Sequence, residues 1–460
     1  MSDLSQIVKA YDIRAKVPEQ WGEREAEALG AAFAQVLAEP DGPDTVIIAY
    51  DMRASSPVLA AAFAAGVRAE GMAVIDIGLG STDLLYFASG TLDLPGAMFT
   101  ASHNPADYNG IKMCRAGARP IGQDTGLAEI RDRAQALLDK GEATGVEVDV
   151  PAGERRDLLP AYAAHLRGLA DLTGIRPLRV VVDAGNGMAG HTVPAVLGDA
   201  VLPALPLDIV PLYFELDGTF PNHEANPLDP ANLVDLRAAV REHRADLGLA
   251  FDGDADRCFV VDERGEPVSP SAITALVATR ELARHPGSTV IHNLITSRAV
   301  PEIVREAGGE PLRARVGHSF IKAEMARTNA IFGGEHSAHY YFRDFWFADT
   351  GMLAAMHVLA ALGEQDRPLS ELAGAFERYA ASGEINSTVL DQAAKLAEVR
   401  RAYPQAEADD LDGLTLTFAD GAWANLRPSN TEPLLRLNVE APTADRMASL
   451  RDEVLAVVRG

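Results

Sequence analysis

Cysteine is nearly absent from this 460-residue chain, which contains only Cys114 and Cys258. A disulfide framework is thereby excluded, and two lone thiols suit a reducing compartment. Basic charge is also in short supply: Lys and Arg number 41 against 66 Asp and Glu, a formal charge of −25. That balance opposes non-specific binding to nucleic acid or to an anionic membrane. It also repels anionic substrates, so any phosphate site has to be a local concentration of cations and amides. No apolar run approaches the ~18 residues needed to span a bilayer. The opening MSDLSQIVKA has an acid at Asp3 and neither the basic nor the apolar region of a signal peptide. The expectation is a cytoplasmic protein with no nucleic-acid or membrane partner.

What is present is ordinary globular composition, 47% hydrophobic and 23% charged with a mean hydropathy of −0.01, which excludes disorder over most of the length. At roughly 150 residues per domain the length alone suggests about three domains. The chain carries a loose repeat. TVIIAYDMRASSPVLAAAFAAGVRAEG begins at Thr45, LRVVVDAGNGMAGHTVPAVLG at Leu178, and STVIHNLITSRAVPEIVREAGG at Ser288. Each is a β-branched run, a polar turn and an amphipathic stretch, the pattern of a βα unit in a parallel or mixed sheet. The spacing far exceeds the ~20–50 residues of a solenoid repeat, so it implies separate α/β domains. The tail differs: LTLTFADGAWANLRPSN and EPLLRLNVEA alternate like strands, and ADRMASLRDEVLAVVRG predicts a closing helix. The expected architecture is therefore three similar mixed α/β domains, 1–150, 151–262 and 263–366, followed by a smaller α+β domain, 367–460. Boundaries fall near Pro151, Asp262 and Glu364.

Four segments carry residues suited to chemistry. In MFTASHNPADYNGIK, Ser102, His103, Asn104 and Lys112 lie within eleven positions of a strand end, where α/β sheets bind ligands. No G-x-S-x-G elbow surrounds Ser102, which argues against a serine hydrolase. In LGLAFDGDADRCFVVDERG, two apolar runs flank Asp252, Asp254, Asp256 and Arg257. Alternate carboxylates on a tight turn make a hard-oxygen site suited to Mg²⁺. An EF-hand loop fails because Arg257 stands at its sixth position, where glycine is required. A phosphatase-type motif with Asp252 as covalent nucleophile stays open at this point, and in that reading Ser102 is idle.

In IFGGEHSAHYYF, Glu335, Ser337 and His339 alternate, which in an extended segment points all three side chains to one side. A carboxylate, a hydroxyl and an imidazole together suit vicinal sugar hydroxyls. In LRPSNTEP, Arg427, Ser429, Asn430 and Thr431 combine a guanidinium fork, two hydroxyls and turn amides, the ingredients of a phosphate nest. KAYDIRA and VGHSFIK add Tyr11, Arg14, His318 and Lys322 beside polar turns.

Taken in order, YDIR, TASHNP, DGDADR, GEHSAH and RPSNTEP resemble the motifs of the α-D-phosphohexomutase family, in particular its bacterial phosphomannomutase/phosphoglucomutase branch. The resemblance runs along essentially the whole chain. It implies four domains around a central cleft and an isomerase that moves phosphate between hexose positions, through a hexose 1,6-bisphosphate that is both intermediate and activator. It implies Ser102 as phosphate carrier, and one Mg²⁺ on Asp252, Asp254, Asp256 and an oxygen of the phosphoserine. Arg257 would neutralise the transferring phosphoryl, with His103 and Arg14 at the reaction centre and Tyr11 lining it. Lys112 and His318 match positions suspected of proton transfer. Glu335, Ser337 and His339 would bind the sugar, Glu335 and Ser337 gripping its 3- and 4-hydroxyls. Arg427, Ser429, Asn430 and Thr431 would hold the phosphate not being transferred.

The expected partners are hexose phosphates and the expected state a monomer or weak homodimer. The expected activity is phosphomannomutase with phosphoglucomutase alongside, supplying mannose 1-phosphate for sugar nucleotides such as GDP-mannose. Phosphoglucosamine mutase is the alternative, disfavoured because the chain has neither a GTDGIRG-like opening nor GEQSGH. A non-catalytic sugar-phosphate binder is the other, disfavoured because it would need neither Ser102 nor the aspartates. Ala15, Thr82-Asp83, Ile295, His336 and Ala338 depart from residues common in the family.

Overall fold

The computed structural model describes residues 3–9, 11–38, 42–143, 153–428 and 434–460. The boundary expected near Pro151 lies outside the described residues. The chain divides into two compact units, Met1–Val268 with Ser337–Ser370, and Ser269–His336 with Glu371–Gly460.

In the first unit the run at Thr45 forms the strand Thr45–Tyr50 and then the helix Ser56–Ala69, and the run at Leu178 forms Leu178–Asp183 and then Ala189–Val196. Each strand sits inside its own sheet. The first sheet runs in the order Ile13–Lys16, Tyr108–Arg115, Gly96–Phe99, Thr45–Tyr50, Ala73–Leu79, Glu154–Arg155, with Arg119–Pro120 beside Tyr108–Arg115. Thr45–Tyr50 is parallel to both Ala73–Leu79 and Gly96–Phe99, so the loops that follow these strands leave at one end. The helices Glu23–Leu37 and Ser56–Ala69 share a core with Val46, Ile48, Phe99 and Ile111. They cross so closely that a β-carbon on Gly30 would stand 2.0 Å from the Phe63 carbonyl oxygen. The second sheet has the order Pro267–Val268, Cys258–Asp262, Leu247–Phe251, Leu178–Asp183, Leu207–Leu212.

In the second unit the run at Ser288 forms Thr289–Asn293, parallel to Glu310–Ala314 and Phe332–Gly334, followed by the helix Ala299–Glu306. The alternating tail forms an antiparallel sheet ordered Ala380–Thr388, Leu434–Ala441, Trp423–Pro428, Leu414–Thr417, Glu407–Asp409. The closing helix is Ala444–Arg459, and its Leu450, Val454 and Val458 pack with Leu416, Leu426 and Leu437. Ile295 packs in a small apolar group with Leu294 and Trp423, which accounts for an aliphatic residue there.

The departure at Thr82-Asp83 has a structural reason. Asp83 is fully buried in the first turn of the helix Thr82–Leu92. Its carboxylate accepts hydrogen bonds from Ser81 Oγ, from Tyr162 Oη at 2.6 Å and from Thr350 Oγ1 at 2.7 Å. Tyr162 lies on the helix Leu159–Leu169 and Thr350 caps Gly351–Gly363, so one carboxylate ties three helices. Burial pushes Asp83 up to about 6, against the pull of its three donors and with a small push from Asp349. The native state therefore binds this proton more tightly than the unfolded chain, and the site loses stability as pH rises through about 6. The stability difference between wild type and Asp83→Asn should fall by about 3 kcal/mol at most between pH 4 and pH 7.5. Denaturant unfolding across that range checks this, and a difference that stays flat or grows with pH contradicts it.

Candidate active site

Ser102 lies three residues beyond the strand Gly96–Phe99 with φ +49°, a left-handed conformation that strains a non-glycine residue. Its surroundings hold it there. The Ser102 N–H donates to Thr100 Oγ1 at 2.9 Å. The buried Arg53 donates to the backbone carbonyls of Ser102 (3.0 Å), Asn104 (2.7 Å), Pro105 (2.7 Å) and Tyr108 (2.9 Å), and its Nε to Asp51 Oδ2 at 3.2 Å. One guanidinium thus satisfies a loop that has no ladder to join. Sequence reasoning missed Arg53, although its place just past the strand Thr45–Tyr50 was the available signal. Arg14, on Ile13–Lys16, donates to Asn104 Oδ1 at 2.7 Å and to Asp12 Oδ2 at 2.5 Å. Tyr11 sits at the bend leading into that strand.

The carboxylates come from the turn of a hairpin, since Phe251 and Cys258 pair at its base. A β-carbon on Gly253 would meet the Ser102 carbonyl oxygen at 2.4 Å, so glycine is what lets the two loops touch. Ser102 Oγ donates to Asp252 Oδ2 at 2.8 Å and accepts from Arg257 Nη2 at 3.1 Å. Arg257 also donates to Asp252 Oδ2 through Nη2 at 2.6 Å and Nε at 3.0 Å, and its N–H donates to Asp252 Oδ1 at 3.1 Å. Arg257 Nη2 further meets His103 Nδ1. A guanidinium only donates, so Nδ1 accepts and the His103 proton sits on Nε2. Burial and the charge of Arg257 hold His103 well below the usual imidazole range, hence neutral.

Lys112 Nζ donates to Asp254 Oδ2 at 2.6 Å and Asp256 Oδ2 at 2.5 Å. Its pKa is raised: burial opposes the charge, and the charges of Asp254 and Asp256 more than offset it. Burial raises Asp252 and Asp256, the latter strongly with help from the charge of Asp254. Burial pushes Asp254 the same way, but Lys112 and then Thr82 hold it below the usual carboxylate range. Three acids thus face two side-chain cations with almost no water, and one is driven toward its neutral form unless further positive charge enters. Oxygens of Asp252, Asp254 and Asp256 lie within 4.8 Å of one another. Asp254 Oδ1 and Asp256 Oδ1 are buried with no hydrogen-bond partner among the described residues. An all-oxygen set with two unused, solvent-excluded acceptors fits a hard divalent cation. Asp256 also groups with His339 and Asp349 within the same limit. Asp349 was not foreseen from the sequence.

The second unit positions Glu335 by means of Asn293, at the end of the strand Thr289–Asn293. Asn293 Nδ2 donates to Glu335 Oε2 at 3.0 Å and to His336 Nδ1 at 3.1 Å, and Asn293 Oδ1 accepts from Thr296 Oγ1 at 2.7 Å. Asn293 is another residue that sequence reasoning missed. His318 begins the helix His318–Thr328, and the N–H of the preceding Gly317 points at Glu335 Oε2 from 3.4 Å. Arg427 is largely buried; burial lowers its pKa against the charges of Asp412, Glu384 and Glu335. Its Nη2 donates to Glu384 Oε2 at 3.2 Å. Burial and the charges of Arg427 and Arg436 push His336 down to about 3. Ser429, Asn430 and Thr431 lie outside the described residues.

One expectation is corrected. The stretch from Glu335 to His339 is not extended, because residues 336–338 turn and Ala338 has φ +62°. The two-residue alternation therefore does not apply there. Ser337 Oγ and His339 Nδ1 meet at 3.0 Å, and His339 Nε2 lies 4.0 Å from Asp349 Oδ2. Among the described residues no helix is long and apolar enough to cross a membrane.

Comparison with known proteins identifies the family of the chain. Models of the phosphoglucomutase/phosphomannomutase family match in sequence: alpha/beta/alpha domain I over residues 5–139, domain II over 160–265, domain III over 269–379, and the C-terminal domain over 384–457. The chain is 42% identical over 459 residues to the phosphohexose mutases protein of Xanthomonas campestris pv. campestris, covering 98% of this chain and 99% of that one. It is 42% identical over 440 residues to the phosphomannomutase of Salmonella typhimurium, covering 94% of each. A solved phosphoglucomutase/phosphomannomutase family protein from Burkholderia thailandensis superimposes with a TM-score of 0.86 at 32% identity, over 98% of this chain and 97% of that one. With all four domain models in order and relatives at this identity over nearly the whole length, the chain belongs to the phosphoglucomutase/phosphomannomutase family.

Proposed function

We propose that this protein is a cytoplasmic phosphomannomutase that interconverts mannose 6-phosphate and mannose 1-phosphate, also accepts glucose phosphates, and carries phosphate on Ser102. The observation that carries the reading is the Ser102 hydroxyl, set between Asp252 and Arg257, whose hairpin turn also holds two carboxylate oxygens without hydrogen-bond partners among the described residues. Phosphoryl transfer demands in-line positioning and charge stabilisation more than covalent chemistry from the protein. In the first step the P–Oγ bond of phosphorylated Ser102 breaks and a P–O bond to a hydroxyl of the hexose monophosphate forms, giving the 1,6-bisphosphate. After the intermediate turns around, its other phosphate returns to Ser102.

Arg257 is placed to neutralise the phosphoryl oxygens, since its Nη2 already contacts Ser102 Oγ. Lys112 is held as an ammonium by two carboxylates, which does not suit a base. His318, the other position that the family resemblance links to proton transfer, is assigned the proton of the attacking hydroxyl. His103, neutral with Nε2–H exposed to bonding, adds a donor at the reaction centre. Mg²⁺ on Asp252, Asp254, Asp256 and a phosphoserine oxygen would supply charge stabilisation at the transferring phosphoryl. Glu335, Ser337 and His339 are assigned to the sugar. Arg427 with Ser429, Asn430 and Thr431 is assigned to the distal phosphate, whose binding energy can be used for orientation. The rival with Asp252 as nucleophile is disfavoured because both of its oxygens already accept hydrogen bonds, from Arg257 and Ser102.

Three outcomes follow from this reading. Purified protein should carry partial phosphate on Ser102, and Ser102→Ala should lose orders of magnitude in turnover with an unchanged melting temperature. Peptide mapping that places the phosphate on Asp252 would establish the aspartyl mechanism instead. Excess chelator should abolish activity and Mg²⁺ restore it; full activity in chelator ends the metal assignment. Mannose and glucose phosphates should react in one site, with N-acetylglucosamine phosphate much poorer. Mannose and glucose differ only at C2, and a single lost contact discriminates by only ~1–3 kcal/mol. Glu335→Gln should weaken both hexoses by similar factors in steady-state kinetics. A large effect confined to one hexose rejects this account of sugar recognition.

A further inference from the structure

We infer that Thr82 is a positioning residue for the cation site, clasping Asp254 so that Asp254 Oδ1 is presented to the ion. The inference rests on the Mg²⁺ reading of the three aspartates. Thr82 is fully buried and holds Asp254 at two points. Its N–H donates to the Asp254 carbonyl at 3.0 Å, which fixes the backbone, and its Oγ1 donates to Asp254 Oδ2 at 2.5 Å, which fixes the rotamer. Lys112 Nζ shares that same oxygen at 2.6 Å. With both donors on Oδ2, the carboxylate plane is set and Oδ1 is the oxygen left without a partner in a solvent-excluded turn. The clasp assigns the two Asp254 oxygens different tasks, one structural and one ligating.

Thr82 is itself restrained. It is the first residue of the helix Thr82–Leu92, whose cap Ser81 Oγ accepts from the Leu84 N–H at 3.3 Å. The next residue, Asp83, is tied to Tyr162 and Thr350. A threonine is β-branched and stiff at χ1, so its hydroxyl is held in one direction where a longer side chain would wander. Groups that orient a metal ligand from behind are commonly worth 10–100-fold in metal affinity.

The test uses the full-length, metal-stripped protein titrated with Mg²⁺ by calorimetry, with unfolding midpoints measured in chelator as a folding control. Thr82→Val, which keeps the shape and loses the hydroxyl, should raise the Mg²⁺ dissociation constant about 10–100-fold. Thr82→Ser, which keeps the hydroxyl, should stay within about threefold of wild type. At saturating Mg²⁺ both should keep the wild-type KM for hexose phosphate, a split that a general loss of structure would not give. If Thr82→Val fails to fold, Thr82→Ala is read instead, with the same expected loss. Wild-type protein that binds Mg²⁺ together with a folded Val or Ala variant that binds it equally well overturns the role of Thr82 alone. Wild-type protein that takes up no Mg²⁺ overturns the cation site, and this inference with it.

Discussion

Asp252, Asp254 and Asp256 are confined to one hairpin turn with almost no water to separate their charges, and most of the first unit is arranged around that confinement. At an effective dielectric of about 20, two like charges ~4 Å apart repel by roughly 4 kcal/mol, and these carboxylate oxygens lie within 4.8 Å of one another. Lys112 and Arg257 answer part of the repulsion, each by direct hydrogen bonds to carboxylate oxygens. What they leave over is a deficit of positive charge beside Ser102. That deficit fits a further positive charge, with Arg257 already in place beside Ser102.

The backbone around this cluster is held by side chains as well as by main-chain hydrogen bonds. Arg53 collects four carbonyls of the Ser102 loop, and Asp83 collects three hydroxyls from three helix starts. Both are fully buried charge-bearing groups, expensive to leave unpaired, and each is satisfied several times over. Asn293 has the corresponding place in the second unit, with its amide orientation fixed by a carboxylate on one side and a hydroxyl on the other.

The fold was legible in the sequence wherever hydrophobic period and turn chemistry agreed. The three βα units at Thr45, Leu178 and Ser288, the hairpin closed by Phe251 and Cys258, and the strands and final helix of the tail all follow from that agreement. The Ser102 and aspartate loops were legible because polar residues interrupt strongly apolar flanks. Arg53, Thr82 and Asn293 were not, since each acts across 40 or more positions of chain and none has a local pattern to mark it. The segment from Glu335 to His339 would align its three side chains only if extended, and alternation alone cannot reveal a left-handed alanine.

The contact at Gly253 has a consequence for how the protein can vary. A β-carbon on Gly253 would stand 2.4 Å from the Ser102 carbonyl oxygen, and one on Gly187 would stand 2.7 Å from the Gly253 carbonyl oxygen, so three loops from two sheets approach main chain to main chain. The nearest atoms are main chain, so shortening a side chain elsewhere does not make room for one. Position 253 is closed to every residue but glycine for reasons of volume, whatever the chemistry of the substrate. The spacing between the Ser102 loop and the aspartate turn is thereby locked.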